Sequence, residues 1–166
     1  MKDKKLVLVF MDGLQGVNFH RIQTPFLRLL EQDYPIHFFG DFNELKKFNT
    51  NFISHIVVSR RCTVNNYQSF NEWLKNNDIK LVLDLDDYWE LPKHFDSHLQ
   101  YKVRTTLEIT QTMLIADIIW TPSKYLAKLM SKENRKAKIE VIPNTLNLDH
   151  EQWKQRKKPS KEIRFG

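Results

Sequence analysis

Short apolar runs alternate along this chain with longer stretches of helical period. Residues 6–11 (LVLVFM) have the length of one strand, and Asp12-Gly13-Leu14-Gln15-Gly16 turns the chain after them. Over 17–32, Phe19, Ile22, Phe26, Leu29 and Leu30 recur at spacings of three and four, which predicts a helix with one apolar face. Pro25 inside that pattern predicts a kink or a late helix start. Residues 35–39 read as a second strand closed by Gly40-Asp41, and 42–51 fits neither period. A third strand over 52–59 ends at Arg60-Arg61, and 66–77 reads as a helix carrying Tyr67, Phe70, Trp73 and Leu74 inward. Leu81-Val82-Leu83 is a continuous apolar run of the kind a buried parallel strand shows. A helix over 95–115, a strand over 118–121, a helix over 124–132 opened by Pro122-Ser123, and a last strand over 139–142 complete the pattern. Strands alternating with helices of these lengths predict βαβ units. The expected fold is a doubly wound, mainly parallel, Rossmann-like sheet in a three-layer α/β/α sandwich.

Composition narrows the class. With 166 residues, 41% of them hydrophobic and 12% aromatic, the chain has enough apolar mass for one globular core. No apolar run reaches the length of a membrane span. The first apolar run is too short for a signal core and ends in Asp-Gly, so it reads as a strand of a cytoplasmic protein. One cysteine, Cys62, excludes an internal disulfide and agrees with that compartment. Residues 1–153 form the expected domain. Residues 154–161 (KQRKKPSK) look like a basic linker, and Glu162 to Gly166 like the opening strand of a further domain.

Net charge changes the picture more than size does. The chain carries +6, which favours anionic partners: nucleotide phosphates, nucleic acid or an anionic membrane surface. Much of the excess gathers late, in Lys124, Lys128, Lys132, Arg135, Lys136 and Lys138. A solvated helix face explains that cluster equally well. A basic nucleic-acid module would interleave exposed aromatics with these cations, which the sequence does not do, so no nucleic acid is expected.

Candidate chemistry concentrates in residues 80–95 (KLVLDLDDYWELPKHF). Asp84, Asp86 and Asp87 follow the apolar run directly, with Tyr88-Trp89 behind them. Like charges at the end of a buried strand repel, so something outside the sheet must stabilise them. Strand alternation puts Asp84 and Asp86 on one side and Asp87 on the other. The crevice beyond the strands' carboxyl ends is where open α/β sheets bind ligands. Here one carboxylate suits a general base, and Asp84-x-Asp86 suits a divalent metal on a diphosphate. A phosphatase of the haloacid dehalogenase type also places Asp-x-Asp after an apolar strand, but on its first strand and followed by a small hydroxylated residue; here Tyr88 follows. The acids also suit a plain turn in which Asp87 caps Tyr88-Trp89-Glu90. Elsewhere, Gly13 and Gly16 let a backbone approach an anion at a helix start. Arg60 and Arg61 offer guanidinium forks, and His94 is a further polar contact, while His20 reads as a helix-surface residue.

Three passages resemble the N-terminal half of GT-B glycosyltransferases, notably family 4. They are the opening strand, glycine loop and helix; Ala116 to Leu126 (ADIIWTPSKYL); and Ile139 to Asn147 (IEVIPNTLN), with Ile142-Pro143-Asn144 the most specific. Asp84 to Asp87 also sits where bacterial members carry acids on the acceptor side. The resemblance implies the acceptor-side domain of an enzyme that moves a sugar from a nucleotide-sugar to a carbohydrate or lipid-linked acceptor, without metal or other cofactor. It implies donor-diphosphate contact at Gly13 and Gly16 and acceptor chemistry at Asp86 or Asp87. Arg60, His94 and Asp84 become secondary contacts. A lipid-linked acceptor would bring the basic residues 124–138 to an anionic membrane, peripherally at its inner face. The domain alone would be inactive.

Overall fold

The computed structural model describes residues 6–11, 18–90, 92–95 and 98–144. Six strands, β1 (Leu6–Phe10), β2 (Ile36–Phe39), β3 (Ile53–Ser59), β4 (Lys80–Asp84), β5 (Ile118–Thr121) and β6 (Lys138–Val141), form one sheet in the order β2-β1-β3-β4-β5-β6. Every neighbouring pair is parallel. The expected doubly wound α/β sheet is what the chain forms. The order turns back at β1/β3, which makes that pair's carboxyl ends the switch point of the sheet.

Right-handed crossovers that run in opposite directions from a switch point must cover opposite faces. One face accordingly carries the helix that follows β1, whose Ile22 and Phe26 pack on Val9, Val57 and Val82. The other carries α2 (Tyr67–Asn76), α4 (Leu107–Ile115) and α5 (Lys124–Glu133). Their Leu74, Ile109, Met113 and Met130 bury against Leu8, Ile56, Leu83 and Ile119.

Local chemistry explains where the regular elements deviate. Pro25 has no N–H for the preceding turn, so the helix after β1 runs as a π-helical segment, Asn18–Gln23, before α1 (Thr24–Leu30) begins with Pro25 in its first turn. Residues 42–51, which fit neither helix nor strand period, form two 3-10 turns, Phe42–Lys47 and Thr50–Phe52. Phe42, Leu45 and Phe48 lie three apart, the repeat of that tighter helix, and Asp41 caps it through the Asn43 N–H at 2.8 Å. The helix expected over 95–115 is α3 (His98–Tyr101), a π-helical turn Lys102–Thr106, and α4.

Two helices close on aspartate where glycine is usual. After α2, Asp78 takes φ 51°, Ile79 N–H reaches Leu74 O at 2.9 Å, and Asp78 N–H reaches Lys75 O at 3.2 Å. Asp33 (φ 60°) does the same after α1. This is the Schellman closure, whose left-handed residue costs a side chain that glycine lacks. Asp78→Gly is expected to raise stability by roughly 0.5–1 kcal/mol in urea unfolding. An unchanged midpoint would show that the aspartate side chain repays its strain locally.

Candidate functional site at the carboxyl edge of the sheet

The apolar run 81–83 ends as β4 reaches Asp84, and that carboxylate does not face solvent. It lies 2% exposed beneath the π-helical turn, where Arg21, 6% exposed, closes on it. Arg21 Nε donates to both oxygens, at 3.1 and 2.9 Å, and Nη2 donates to Oδ1 at 2.6 Å. The remaining nitrogen, Nη1, reaches Ile142 O at 3.0 Å and Asn144 Oδ1 at 2.6 Å. One guanidinium thus ties the first helix, the end of β4 and the segment after β6. Burial pushes the Asp84 carboxyl up against the pull of Arg21, and Arg21 itself, resisted by its own burial, is raised by its bonds to Asp84. The guanidinium keeps its proton at any ordinary pH, so Arg21 stays cationic in the pair.

Asp86 lies just beyond the strand and is half-buried. Its Oδ1 is inaccessible and has no hydrogen-bond partner among the described residues. Burial, then the neighbouring Asp87 charge, pushes its carboxyl up; Arg21 and Arg60 pull the other way. Three further buried polar atoms in the same condition are Gln23 Oε1 on the first helix, Ser59 Oγ at the end of β3 and Thr121 Oγ1 at the end of β5. Ser59 pairs with Asp84 across the ladder, and β5 pairs with β4. Buried polar groups ordinarily find partners; Ser59, Asp86 and Thr121 bring theirs to the carboxyl edge of the sheet, where a polar ligand or water would satisfy them.

Arg60 adds a strained turn to that edge. It takes φ 66° while Arg61 N–H donates to Ser59 O at 2.8 Å, the tight γ-turn that side chains rarely adopt. Its own N–H donates to Asp84 O at 2.8 Å, and Nη2 reaches the Tyr101 hydroxyl at 3.3 Å. Backbone strain of this kind persists where the surroundings enforce it, commonly at binding edges. Arg61 points elsewhere and pairs with Glu108 at 3.0 Å.

A groove of about 190 Å³ opens beside the clamp, walled by His20, Arg21, Phe26, Asp84, Trp120 and Pro143. Phe26 and Trp120 stack with centroids 6.3 Å apart, and Trp120 Nε1 donates to Glu140 at 3.2 Å. His20, read from sequence as a surface residue, is half-buried in this wall.

Of the residues singled out from sequence, Asp84, Asp86 and Arg60 come together. Asp87 is exposed but close enough for its charge to act on Asp86. His94 is exposed, its ring 4.8 Å from that of Phe95. Gly13 and Gly16 lie outside the described residues. Arg21 escaped the sequence reading; the one signal for it was the unbalanced acid at a buried strand end, which called for a cation without naming it.

The ionisation of Asp86 sets a pH dependence. A carboxyl raised in the fold adds stability below the ordinary aspartate range and loses it as pH climbs through the raised value. Asp86→Asn is therefore expected to melt higher than the parent at pH 7, with the advantage vanishing by about pH 4. A lower melting temperature at pH 7 would mean that the carboxylate is stabilised in the fold after all.

The chain matches no protein-family model and no curated protein.

Proposed function

We propose that this chain is the acceptor-side domain of a GT-B glycosyltransferase, acting on a carbohydrate or lipid-linked acceptor with a nucleotide-sugar as donor. One observation carries the reading. The passages that resemble that family are distant in sequence, yet Arg21 from the opening helix, Asp84 from the acidic strand end, and Ile142 and Asn144 from the Ile-Pro-Asn segment share one guanidinium. Asp84 is a positioning residue in this reading, since both of its oxygens are occupied by Arg21. Asp86 takes the acceptor hydroxyl: a half-buried carboxylate whose affinity for a proton is raised is a better base than an exposed one. Asp87 supports it electrostatically, Arg60 and His94 are outer contacts, and Gly13 and Gly16 shape the loop that meets the donor diphosphate. Catalysis here needs no metal or other cofactor.

The rival with a divalent metal on Asp84 and Asp86 requires the metal to displace a guanidinium making three short bonds. Calorimetry separates the two. Titration with oligosaccharide acceptors is expected to give binding that Asp86→Ala abolishes. Millimolar or tighter binding of manganese or magnesium, lost in Asp86→Ala, would replace the proposal with the metal-dependent reading. Steeply salt-dependent binding to oligonucleotides, with none to saccharides, would make the chain a basic binding module instead.

A further inference from the structure

A second cavity opens on the face of the sheet opposite Phe26 and Trp120. The crossover from β2 to β3 passes β1 on the side that carries α2, and the 3-10 turns Phe42–Lys47 and Thr50–Phe52 make it in place of an α-helix. Such turns are short and narrow, so Phe42, Leu45 and Phe48 cover this corner of the core without filling the space up to α2. What remains is a pocket of about 420 Å³ walled by Phe42, Phe48, Phe70 and Trp73, with Lys46 and Thr50 as its polar members. It shares no residue with the groove beside Arg21. Small-molecule sites run from about 300 to 1,000 Å³ and combine mainly apolar and aromatic walls with a few polar groups, and this pocket has that size and that make-up.

Ring geometry and charge select what enters it. Phe70 and Trp73 lie 13° from parallel with centroids 5.9 Å apart, and Phe42 stands at 88° to Phe70 with centroids 5.5 Å apart. The walls thus present ring planes at right angles, so a flat aromatic group lying on one meets the other edge-on, the two arrangements that rings prefer. Lys46 is exposed and makes no ion pair among the described residues, which leaves its charge available to an anion. A saccharide would find only Lys46 and Thr50 for its many hydroxyls, and a nucleotide brings more negative charge than one lysine balances. A second copy of the chain would set its own +6 against Lys46 and Lys47. An alkyl chain would fill the space but leave the lysine unmatched. We propose that this pocket binds a small planar aromatic carboxylate, its ring against Trp73 and Phe70 and its carboxylate on Lys46. The site rests on this face alone and holds whether or not the cleft transfers sugars.

Titration calorimetry of the 166-residue chain with 2-naphthoate, and with its neutral counterpart 2-naphthamide, tests it. Naphthoate is expected to saturate a single site with a submillimolar Kd. Naphthamide, which keeps the rings and lacks the charge, is expected to bind about three- to fivefold more weakly, the worth of one solvent-exposed ion pair. Lys46→Met, at an exposed position, is expected to keep the parental melting temperature and to bring naphthoate down to the affinity of naphthamide. Trp73→Leu removes a ring from the wall and is expected to weaken both ligands by about tenfold. Lack of saturation at millimolar naphthoate, or uptake of several equivalents without a defined site, would overturn the proposal. So would equal binding of the two ligands, or naphthoate binding unchanged in Lys46→Met or in Trp73→Leu, which would place it elsewhere on the chain. Should Trp73→Leu fail to fold, the pairing of Lys46→Met with naphthamide still decides the matter. None of these readouts depends on saccharide binding at Asp86, so either proposal can fail without the other.

Discussion

Arg21→Met is expected to cost about 3–5 kcal/mol of unfolding free energy at pH 7, because it strands a buried carboxylate. Asp84 is 2% exposed and takes its hydrogen bonds from Arg21 Nε and Nη2. Without them it must ionise unpaired or take up a proton. The deficit should therefore shrink as pH falls. An unpaired buried carboxyl has a raised affinity for protons, so the variant is least handicapped below the ordinary aspartate range and loses ground as pH rises. Arg21→Lys keeps the charge but lacks the planar fork that reaches Asp84 and Asn144 together, and it should recover only part of the loss. The pair's net worth is a separate quantity from the cost of breaking it. Arg21→Met combined with Asp84→Leu removes both charges and should regain most of the stability. Added salt should alter none of these differences much, because the pair is shielded from solvent. Chemical denaturation of the four proteins across pH measures all of this. A cost under about 1 kcal/mol for Arg21→Met would mean that water reaches Asp84, and the clamp would lose its place in the proposed function.

How far the sequence carried depends on what each signal encodes. The strands were legible because each is a short apolar run between helix-length segments, and β5 lies where Ile118 to Thr121 predicts it. The helix starts were legible for the same local reason: the ranges 66–77 and 124–132 begin where Asn66 and Ser123 accept from Ser69 N–H at 2.9 Å and Leu126 N–H at 3.2 Å. Pro25 announced an irregular helix start without saying that the preceding turn would widen. Nothing in Lys102 to Thr106 announces the second π-helical turn. The site shows the boundary most clearly. That Asp84 and Asp86 needed compensation followed from their position. That Asp84 receives Arg21 while Asp86 keeps an oxygen unpartnered among the described residues depends on how the first helix crosses the sheet, over a separation of 63 residues for the clamp. A pattern of periods has no term for that crossing. The chain has 26 lysines and arginines, so charge alone could not choose among them.

The other large effect is expected far from the cleft, at Asn134→Ala. Asn134 is buried after the last turn of α5, and its side-chain amide works on both sides. Nδ2 donates to Met113 O at 2.8 Å and Ala116 O at 3.0 Å, with Leu114 O at 3.4 Å, while Oδ1 accepts from Lys136 N–H at 2.9 Å and Ala137 N–H at 3.1 Å. The free carbonyls at the end of α4 are thereby satisfied by the residue that ends α5, and the turn into β6 is fixed by the same group. Alanine would leave these backbone groups without partners in a place water reaches poorly. At about 1–1.5 kcal/mol for each lost bond, partly offset by relaxation, the expected loss is about 3 kcal/mol, or a melting temperature lower by about 10 °C. Asn134→Asp distinguishes this account from simple loss of volume. Its carboxylate keeps the acceptor but faces carbonyls that need a donor, so it should be as damaging as alanine at pH 7. Protonation restores the donor, so the aspartate variant should recover as pH falls, whereas the alanine variant should not. Parallel pH profiles for the two would show that packing, rather than the amide's donors, holds α4 to α5.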